Sequence, residues 1–396
     1  MNRLAAPADA GSSPDPLPLR RVQGRGDNRS VLLPPRGEKV AEGRMRRGPS
    51  DVECTLRPGI HTTRTPPHPD PLPRVQRRGD RRWRFPVRGS LLLPGLVWLL
   101  LLLPGAARLV PVVAEEIPIA LRGLQPSPRN PVFSGRPGHW DAKIRERGWI
   151  LRDGDLWKLW YTGYDPDVTP PMVRLGYATS PDGIVWHRCD DRPLIDDLWV
   201  EDMMIVRQAG RWLMFAEGRN DQAQLLESPD GMDWTRRGAL DIRLTTGELI
   251  PAGPYGTPTA LFDNGVWNLF YERRDAGIWL ARSTDLNMWH NVMDEPVLVP
   301  GPDTYDALMI AMNQVVVHEG RYLAVLHGTG TPTKPRQWCT FLATSDDLIH
   351  WRKSSENPLF PIAENRSSGI LVPDGAGWRL YTMHDRVDLF LPVKAR

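Results

Sequence analysis

Four copies of one seven-residue motif, Ser-x-Asp-x-x-x-Trp, constrain the fold of this 396-residue chain more than any other feature. The copies begin at residues 180, 228, 283 and 345, and their tryptophans lie 48, 55 and 62 residues apart. Each copy follows a short run of β-forming residues, and the Asp-Gly or Asp-Leu pair inside it predicts a hairpin turn. A strand-turn-strand unit repeated at this interval is typical of β-propeller blades.

A second recurring strand precedes the motif in each unit and is present five times. Its copies are residues 156–161, 211–216, 266–271, 321–326 and 378–383. Proline follows the motif tryptophan by seven residues in three copies, at Pro193, Pro296 and Pro358. Because proline lacks an N–H donor, it favours an edge strand, here the outermost strand of the unit. Each unit is therefore predicted to contain four short antiparallel strands.

The fifth unit lacks an outer strand of its own. Asn-Pro-Val-Phe at residues 130–133 matches the outer-strand sequence Asn-Pro-Leu-Phe at residues 357–360, yet it stands before the first unit. We therefore expect it to complete the fifth unit, which also removes an exposed sheet edge. The predicted fold class is all-β: a five-bladed β-propeller of four-stranded antiparallel blades over residues 130–396, with the ring closed by an N-terminal strand. The repeated tryptophans are interpreted as packing residues between blades, and the repeated aspartates as turn formers.

Residues 1–88 differ in composition from the rest of the chain. They contain 14 prolines and carry 19 Lys and Arg against 9 Asp and Glu, and the segment at 14–18 recurs at 69–73. We interpret them as a disordered, low-complexity basic extension or as translated sequence that is not native to the protein. Since the whole chain has a net charge of +3, the remainder is acidic, and no nucleic-acid partner is expected.

Residues 89–114 have the pattern of a signal peptide. Basic residues at 81–84 precede an apolar run at 91–103, and small residues follow. The run is shorter than the roughly 20 residues of a membrane-spanning helix. We predict a secreted or periplasmic protein; the alternative is an uncleaved N-terminal anchor, and only then would the protein associate with a membrane.

Three cysteines do not make a disulfide framework. Cys54 lies in the basic extension, and the sequence leaves open whether Cys189 and Cys339 pair. No Cys/His cluster has the spacing of zinc ligands. We therefore expect neither a metal nor a cofactor.

Candidate site residues follow from the blade architecture. The start of the first strand and the end of the second strand share one face of the ring, beside the central funnel. Polar residues at these positions differ from blade to blade, whereas the packing residues repeat, and this asymmetry indicates a ligand site. The predicted set is Asp141, Glu146, Asp202 and Glu272 as candidate acids, and Glu201, Glu217, Arg219, Tyr255, Thr257, Arg273, Asn313, His327 and His384 as substrate-binding residues; Asp221, Arg274, Asp275, Ser367 and Ser368 occupy similar positions.

Carboxylates in one cleft can take different pKa values and act as acid and base. Glycoside hydrolysis needs such a pair across the scissile bond. The alternative interpretation is that Glu217 and Arg219 form a surface ion pair, and that Glu272 and Arg273 belong to a solvated strand end.

The chain resembles the five-bladed propeller glycosidases, the superfamily of glycoside hydrolase families 32, 43, 62, 68, 117 and 130. The shared features are Leu-Trp-Tyr-Thr-Gly at 159–163, the segment 175–183 with Trp186, and the five-fold repeat. The similarity covers about residues 130–392. It implies a carbohydrate-active hydrolase that acts on glycosidic bonds of oligo- or polysaccharides through carboxylates in the funnel. We expect a monomer with a carbohydrate substrate.

In families 32 and 43 each of the first three blades supplies one carboxylate near the start of its inner strand. By this register Asp202 matches the transition-state-stabilising aspartate, and Arg147 stands where the first-blade aspartate would be, with Glu146 beside it. Asp141 lies just upstream. The third blade has Thr257 in register.

The nearest acid in the third blade is Glu272, so the resemblance implies an incomplete set of carboxylates. Two alternatives therefore stay open. One is a non-catalytic sugar-binding propeller. The other is a glycoside phosphorylase, for which Arg219, Arg273 and Lys334 are candidate phosphate ligands.

Overall fold

The computed structural model describes residues 116–118, 121–375 and 377–392. The expectations for residues 1–88 and 89–114 fall outside the described residues, as do residues 393–396 of the predicted propeller. Regular structure in the described ranges consists mainly of β-strands, with a short 3-10 helix at Ile362–Glu364. No helix in this part of the chain is long and apolar enough to span a membrane.

The strands group by blade in chain order. Two short strands, β1 (Gln125–Pro126) and β2 (Phe133–Ser134), come first. Blade one contains β3 (Lys143–Ile144), β4 (Trp149–Asp153), β5 (Leu156–Tyr164), β6 (Arg174–Ser180) and β7 (His187–Arg188). Blade two contains β8 (Glu201–Gln208), β9 (Arg211–Gly218), β10 (Gln222–Ser228) and β11 (Thr235–Ala239). Blade three contains β12 (Asp241–Arg243), β13 (Gly256–Asp263), β14 (Val266–Glu272), β15 (Ile278–Ser283) and β16 (Met288–Asn291). Blade four contains β17 (Met309–His318), β18 (Arg321–Thr329), β19 (Cys339–Ser345) and β20 (Trp351–Lys353), and blade five contains β21 (Ile370–Asp374), β22 (Gly377–Met383) and β23 (Arg386–Leu391).

Five sheets arranged in a ring confirm the predicted five-bladed propeller. Neighbouring strands within each sheet pair antiparallel, with one exception in blade three. The first strands of neighbouring blades contact one another around the ring, β4 with β8, β8 with β13, β13 with β17, β17 with β21, and β21 with β4. The inner strands therefore line the axis. One addition was not predicted: β12 joins blade three as a parallel partner of β16.

The outer strand of a blade is split into two parts. The part at or just after the motif tryptophan forms the named outer strands, such as β7 and β16. The segment with the proline then pairs with the start of the third strand through single bridges, Leu175 with Ile195 and Ile278 with Leu298. The prolines lie at the outer edge as predicted, but they do not form a continuous fourth strand.

The Ser-x-Asp motif forms the same turn in every copy. In the first copy Ser180 Oγ accepts the N–H groups of Asp182 and Gly183 at 3.2 and 2.8 Å. Asp182 Oδ1 accepts those of Ile184 and Val185, both at 2.8 Å. Burial would raise the pKa of Asp182, but the backbone hydrogen bonds outweigh it and lower the pKa. Corresponding bonds recur in the other three copies, so the turn-forming role is confirmed.

Aromatic residues of the second strands join blade one to blade two and blade five to blade one. Trp160 of β5 donates through Nε1 to the carbonyl of Gly231, in the motif turn of blade two, at 2.7 Å. Tyr381 of β22 occupies the same repeat position and donates to the carbonyl of Gly183, in blade one, at 2.9 Å. The last blade thus contacts the first in the same way as the first contacts the second.

Two motif tryptophans also pack across blade boundaries. Trp289 lies edge-on to Phe215 of blade two with ring centroids 6.0 Å apart. Trp351 contacts Phe270 of blade three in the same way at 5.8 Å. The predicted packing role is confirmed for these two copies.

Cys339 is a free, buried thiol within the apolar cluster between blades three and four, so it does not pair with Cys189.

The N-terminal segment closes the ring as predicted. Both β1 and β2 pair antiparallel with β23. The Asn130 amide brackets Leu389: Nδ2 donates to its carbonyl at 2.9 Å and Oδ1 accepts its N–H at 2.8 Å. Asn357 makes the same two bonds with Leu342, at 2.8 and 3.0 Å. The sequence match between the two Asn-Pro segments therefore reflects the same edge-strand geometry.

Candidate active site

A cavity of about 380 Å³ opens where the inner strands begin, and all five blades line it. Its lining includes six carboxylates but only one Lys or Arg side chain, Arg274, among the described residues. The carboxylates are Glu146, Asp202, Glu217, Asp221, Glu272 and Asp275. Of the predicted set, Glu146, Asp202, Glu217, Thr257, Glu272, His327 and His384 line this cavity. The sequence therefore located the face of the ring at which polar groups converge.

Left-handed backbone recurs at one register position in four blades. The φ angles are 48° at Arg147, 46° at Asp202, 45° at Thr257 and 54° at Ser368. In blades two and three the strand pairing shifts at this point, between Glu201 and Met204 and between Gly256 and Thr259. Such bulges re-aim side chains, and positive φ is rare for residues other than glycine, above all for β-branched threonine. Strained backbone of this kind concentrates at functional sites.

Asp202 is directed into the cavity by this bulge. Its Oδ1 atom is buried and has no hydrogen-bond partner among the described residues. Burial raises the pKa of Asp202 well above its ordinary value; Arg147 opposes this rise, while Glu146 and Glu201 add to it. The Asp202 carboxyl group therefore favours the protonated form in the folded protein.

Gly256 separates the carboxylates of Glu217 and Glu272. A Cβ atom at residue 256 would lie 2.1 Å from Glu217 Oε2 and 2.8 Å from Glu272 Oε1. The two oxygens are thus no more than about 5 Å apart, close enough for one charge to disfavour the other. The Gly256 N–H donates to Glu272 at 3.1 Å, and the Thr257 N–H donates to Glu217 at 2.9 Å. Burial, followed by the charge of Asp202, raises the pKa of Glu217 well above its ordinary value.

Gly256→Ala is expected to displace both carboxylates, because the new methyl group overlaps Glu217 and Glu272. Overpacking of this kind costs about 1–3 kcal/mol, and we expect a lower melting temperature together with a reduced affinity for the ligand. Thermal denaturation and sugar binding by calorimetry measure the two effects. Gly377→Ala is the matched control, since its Cβ would meet no atom within 4 Å. Equal stability and binding in the two variants would contradict the close packing at residue 256.

Glu272 and Asp275 form a second coupled pair of acids. The backbone N–H of Asp275 donates to Glu272 Oε2. Burial and the charge of Asp275 raise the pKa of Glu272 to about 7. Burial and the charge of Asp221 raise the pKa of Asp275 to about 6, while Arg336 opposes the rise. Glu272 therefore titrates near neutral pH, which suits a group that exchanges protons during a reaction.

Glu146 and Glu201 share the guanidinium of Arg145. Arg145 lies 2.6 Å from Glu201 Oε2 and 3.4 Å from Glu146 Oε1. Although burial would raise the pKa of Glu146, Arg145 and His384 outweigh it and lower the pKa. Glu201 also accepts the indole N–H of Trp199 at 2.5 Å and does not line the cavity. The prediction that Glu201 binds substrate is therefore corrected, because its carboxylate is occupied by protein partners.

His327 presents a neutral imidazole to the cavity. Its Nδ1 lies 2.6 Å from Asn313 Oδ1, and Asn313 Nδ2 donates to the carbonyl of Gly369 at 3.3 Å. With the amide oriented in this way, Nδ1 carries the proton and Nε2 is left as an acceptor. Burial, with a contribution from Arg147, lowers the pKa of His327 to about 3. Asn313 does not line the cavity but orients a residue that does.

His384 belongs to blade five and lies beside the two serines of that blade. Its Nδ1 is 3.1 Å from Ser367 Oγ. The neighbouring Ser368 is 1% exposed, and its hydroxyl has no partner among the described residues. Both serines line the cavity with His384. These groups can hydrogen-bond to sugar hydroxyls.

Asp141 lies outside the cavity and is removed from the candidate acids. Its side chain is fully buried and contacts Arg136 at 3.0 Å and Arg188 at 2.7 Å. Tyr161 donates its hydroxyl to the same carboxylate at 2.9 Å. A carboxylate with these three partners links separate segments of blade one and is not available to a substrate.

Three predicted substrate-binding residues also point elsewhere. Arg219 is exposed, lies over the ring of Trp199 at 5.1 Å and does not line the cavity. Tyr255 directs its hydroxyl to the carbonyl of Leu240, at 3.4 Å. Arg273 donates to a loop carbonyl at 2.6 Å. Arg219 and Arg273 directly follow second strands and Tyr255 directly precedes a first strand, as the prediction required, but their contacts turn all three away from the funnel.

Trp338 is a cavity residue that the sequence analysis missed. It precedes β19, and its ring lies edge-on to His327 with centroids 5.4 Å apart. Only the starts of first strands and the ends of second strands were considered, so the beginning of a third strand was overlooked. An aromatic residue in a loop on the funnel face was the available signal.

Within the described ranges, no group of three or more His, Cys, Asp or Glu side chains is placed to hold a metal ion.

No protein-family model matches the chain. A relative among characterised proteins is the 1,2-β-oligomannan phosphorylase of Thermoanaerobacter sp. (strain X514), which is 30% identical over 225 residues. The match spans 52% of this chain and 66% of the relative, just under two thirds of its length.

Solved structures share the fold at lower identity. One is from the GH130 family of mannoside phosphorylases, which contains glycoside hydrolases that target β-1,2 mannosidic linkages in Candida mannan; it is 17% identical with a TM-score of 0.58 over 72% of this chain and 98% of the other. The β-1,2-mannobiose phosphorylase of Listeria innocua is 13% identical with a TM-score of 0.55 over 68% and 97%. The chain thus has the fold of the five-bladed propeller glycosidase superfamily, as its sequence predicts.

Proposed function

We propose that the protein is a glycoside hydrolase that cleaves β-linked mannosides, with Asp202 as general acid and Glu272 as general base. The observation that carries the proposal is the lining of the funnel: an unpaired, buried Asp202 oxygen faces a cavity in which Glu272 has a pKa of about 7. Two carboxyl groups with different environments in one cleft are what acid–base cleavage of a glycosidic bond needs.

The role given to Asp202 differs from the one that the resemblance implies. A residue that stabilises positive charge at the sugar carbon must be ionised. The burial of Asp202 and its acidic neighbours instead favour the protonated form, which can donate a proton to the leaving oxygen.

Mannosides are proposed as substrates because the relative and the two solved structures above are described with β-1,2-mannan, mannoside or mannobiose activities.

Hydrolysis is proposed rather than phosphorolysis because the cavity lining has few basic side chains. Phosphate binding favours clustered basic side chains, yet Arg219, Arg273 and Lys334 do not line the cavity and Arg274 stands among six carboxylates. This lining offers a phosphate dianion few positive partners, whereas water needs none.

The test is incubation of the full-length protein with β-1,2-mannobiose and longer β-1,2-mannans, with and without inorganic phosphate. Chromatography separates mannose from mannose 1-phosphate. We expect mannose at a rate that phosphate does not increase. Phosphate-dependent release of mannose 1-phosphate would assign phosphorolysis instead, and binding without any product would assign a sugar-binding propeller.

The pH dependence of cleavage should report Glu272. A general base must be ionised, so kcat/KM is expected to rise with pH through about 7, the pKa of Glu272. Because the charge of Asp275 raises that pKa, Asp275→Asn should move this acidic limb to lower pH. Asp285→Asn, in an exposed turn far along blade three, is the control and should leave the limb in place. An acidic limb that does not move in Asp275→Asn would exclude Glu272 as its origin.

A further inference from the structure

Arg147 is the only Lys or Arg among the buried polar residues of the described chain, and its exposure is 0%. It lies between β3 and β4 of blade one, at the same left-handed position as Asp202, Thr257 and Ser368 in their blades. Unlike those three residues, it does not line the cavity. Its side chain therefore lies beneath the floor of the site, where a charge needs partners.

The contacts of Arg147 reach three other blades. Its guanidinium donates to the carbonyl of Met312 in blade four, at 3.3 Å, and to that of Pro258 in blade three. Its own carbonyl accepts the N–H of Met203 in blade two, at 3.2 Å. Met203 directly follows Asp202, so Arg147 and the candidate acid are fixed to one another through the backbone.

The charge of Arg147 faces two carboxyl groups. Burial lowers the pKa of Arg147 to about 10, while Asp202 and Glu217 oppose the fall, so the guanidinium stays charged near neutral pH. The other groups around Asp202 are Arg145 and Glu146 from blade one and Glu201 from blade two. Arg145 is already paired with Glu146 and Glu201. Arg147, whose own hydrogen bonds go to backbone carbonyls, is thus a buried cation available to Asp202 and Glu217.

We propose that Arg147 is a positioning residue: it supplies the buried positive charge that balances Asp202 and Glu217, and it ties the inner strands of blades three and four beneath them. The balancing charge is a property of the folded protein and can be tested without activity. Only the effect on Asp202 as a proton donor rests on the proposed function.

The first test follows the melting temperature of the full-length protein between pH 5 and pH 8.5. The pKa values of Asp202 and Glu217 lie above those of the unfolded chain, so the stability that these two groups contribute falls as pH rises from about 4. Loss of the Arg147 charge raises both pKa values further, and the fall becomes larger. We expect the melting temperature of Arg147→Met to drop across this range by at least about 3 °C more than that of the unaltered protein.

Arg147→Lys and Arg237→Met are the matched controls. Arg147→Lys keeps the charge but loses the forked hydrogen bonds, so its melting temperature should be lower at every pH with an unchanged slope. The Arg237 side chain is 53% exposed. Arg237→Met therefore removes a charge far from the cavity, and it should change neither the melting temperature nor its slope with pH. Equal slopes in Arg147→Met, Arg147→Lys and the unaltered protein would overturn the proposed charge balance.

A double variant keeps the test decisive if Arg147→Met unfolds. Removing the charge of Asp202 should relieve the imbalance, so Arg147→Met with Asp202→Asn should be more stable at pH 8 than Arg147→Met alone. A double variant that is no more stable, or that also fails to fold, would leave Arg147 with a packing role only and would overturn the proposal.

The second readout is the pH profile of cleavage. Since Arg147 lowers the pKa of Asp202, Arg147→Met should move the alkaline limb of kcat/KM to higher pH, whereas Arg147→Lys should not. If the unaltered protein cleaves no mannoside, the proposed function fails, and the melting curves still decide the role of Arg147. A merely structural role would lower the rate without moving the limb.

Discussion

Asp202→Asn is expected to lower turnover of β-1,2-mannobiose at least about a hundredfold while the protein stays folded. Asparagine keeps the shape of the side chain but cannot donate the carboxyl proton, and loss of one general acid costs about 10²–10⁴-fold. The bulge at residue 202 directs this side chain into the cavity. Steady-state kinetics and a melting curve measure the two parts of the prediction.

Glu201→Gln is the matched control for this change. Glu201 is the adjacent acidic residue and is bound to Arg145 and Trp199 outside the cavity. We expect a smaller loss of turnover, less than about tenfold, since its effect reaches the site only through its neighbours. Full activity in Asp202→Asn together with an inactive Glu201→Gln would contradict this assignment. It would mean that Glu201, and not Asp202, points into the cavity.

Removal of the ring-closing contacts should cause the largest loss of stability. Phe133 of β2 is 5% exposed and packs edge-on to Tyr161 of blade one, with centroids 4.8 Å apart, while β2 pairs with blade five. Phe133→Ala is expected to cost about 3–5 kcal/mol. Asn130→Ala in the same chain also leaves the N–H of Leu389 without its Asn130 partner, at about 1–3 kcal/mol, while the Leu389 carbonyl keeps its bond from the Ser127 N–H. Denaturant unfolding measures the free energy.

Val299→Ala is the control for an apolar residue that lies outside the core. Its side chain is 51% exposed, and the change should stay within about 0.5 kcal/mol. Truncation up to residue 138 removes both closing strands. It should lower the free energy of unfolding at least as much as Phe133→Ala and Asn130→Ala together. A truncated protein as stable as the full chain would show that the ring does not depend on this seal.

The repeat made the architecture predictable because its residues act locally. The Ser-x-Asp turns are closed by hydrogen bonds within a few residues, and the two Asn-Pro segments bracket their partner strands through the same amide bonds. Such features need only the nearby chain, so their recurrence in the sequence reports a recurring structure. The predicted start of the propeller at residue 130 was slightly late, since β1 at Gln125–Pro126 already pairs with β23.

The candidate site was predictable only to the level of the ring face. Regular alternation along a strand predicts that Glu201 and Asp202 point in opposite directions. The two side chains do diverge, but a bulge with left-handed backbone sets their directions. Asp141 and Tyr255 satisfied the same positional rule and yet are turned to partners outside the cavity. Position in a repeat thus identifies a neighbourhood but not an orientation.

The sequence by itself determined the five blades, the turn and packing residues, the closing strand and the end of the ring at which acids gather. Only the tertiary structure decided which acids share the cavity, that Gly256 separates Glu217 from Glu272, and that Arg147 lies beneath Asp202. Strands and turns depend on periodicity and on hydrogen bonds between near neighbours. Side-chain direction and pKa depend on burial and on charges from blades that are distant in the chain, and no local pattern encodes these.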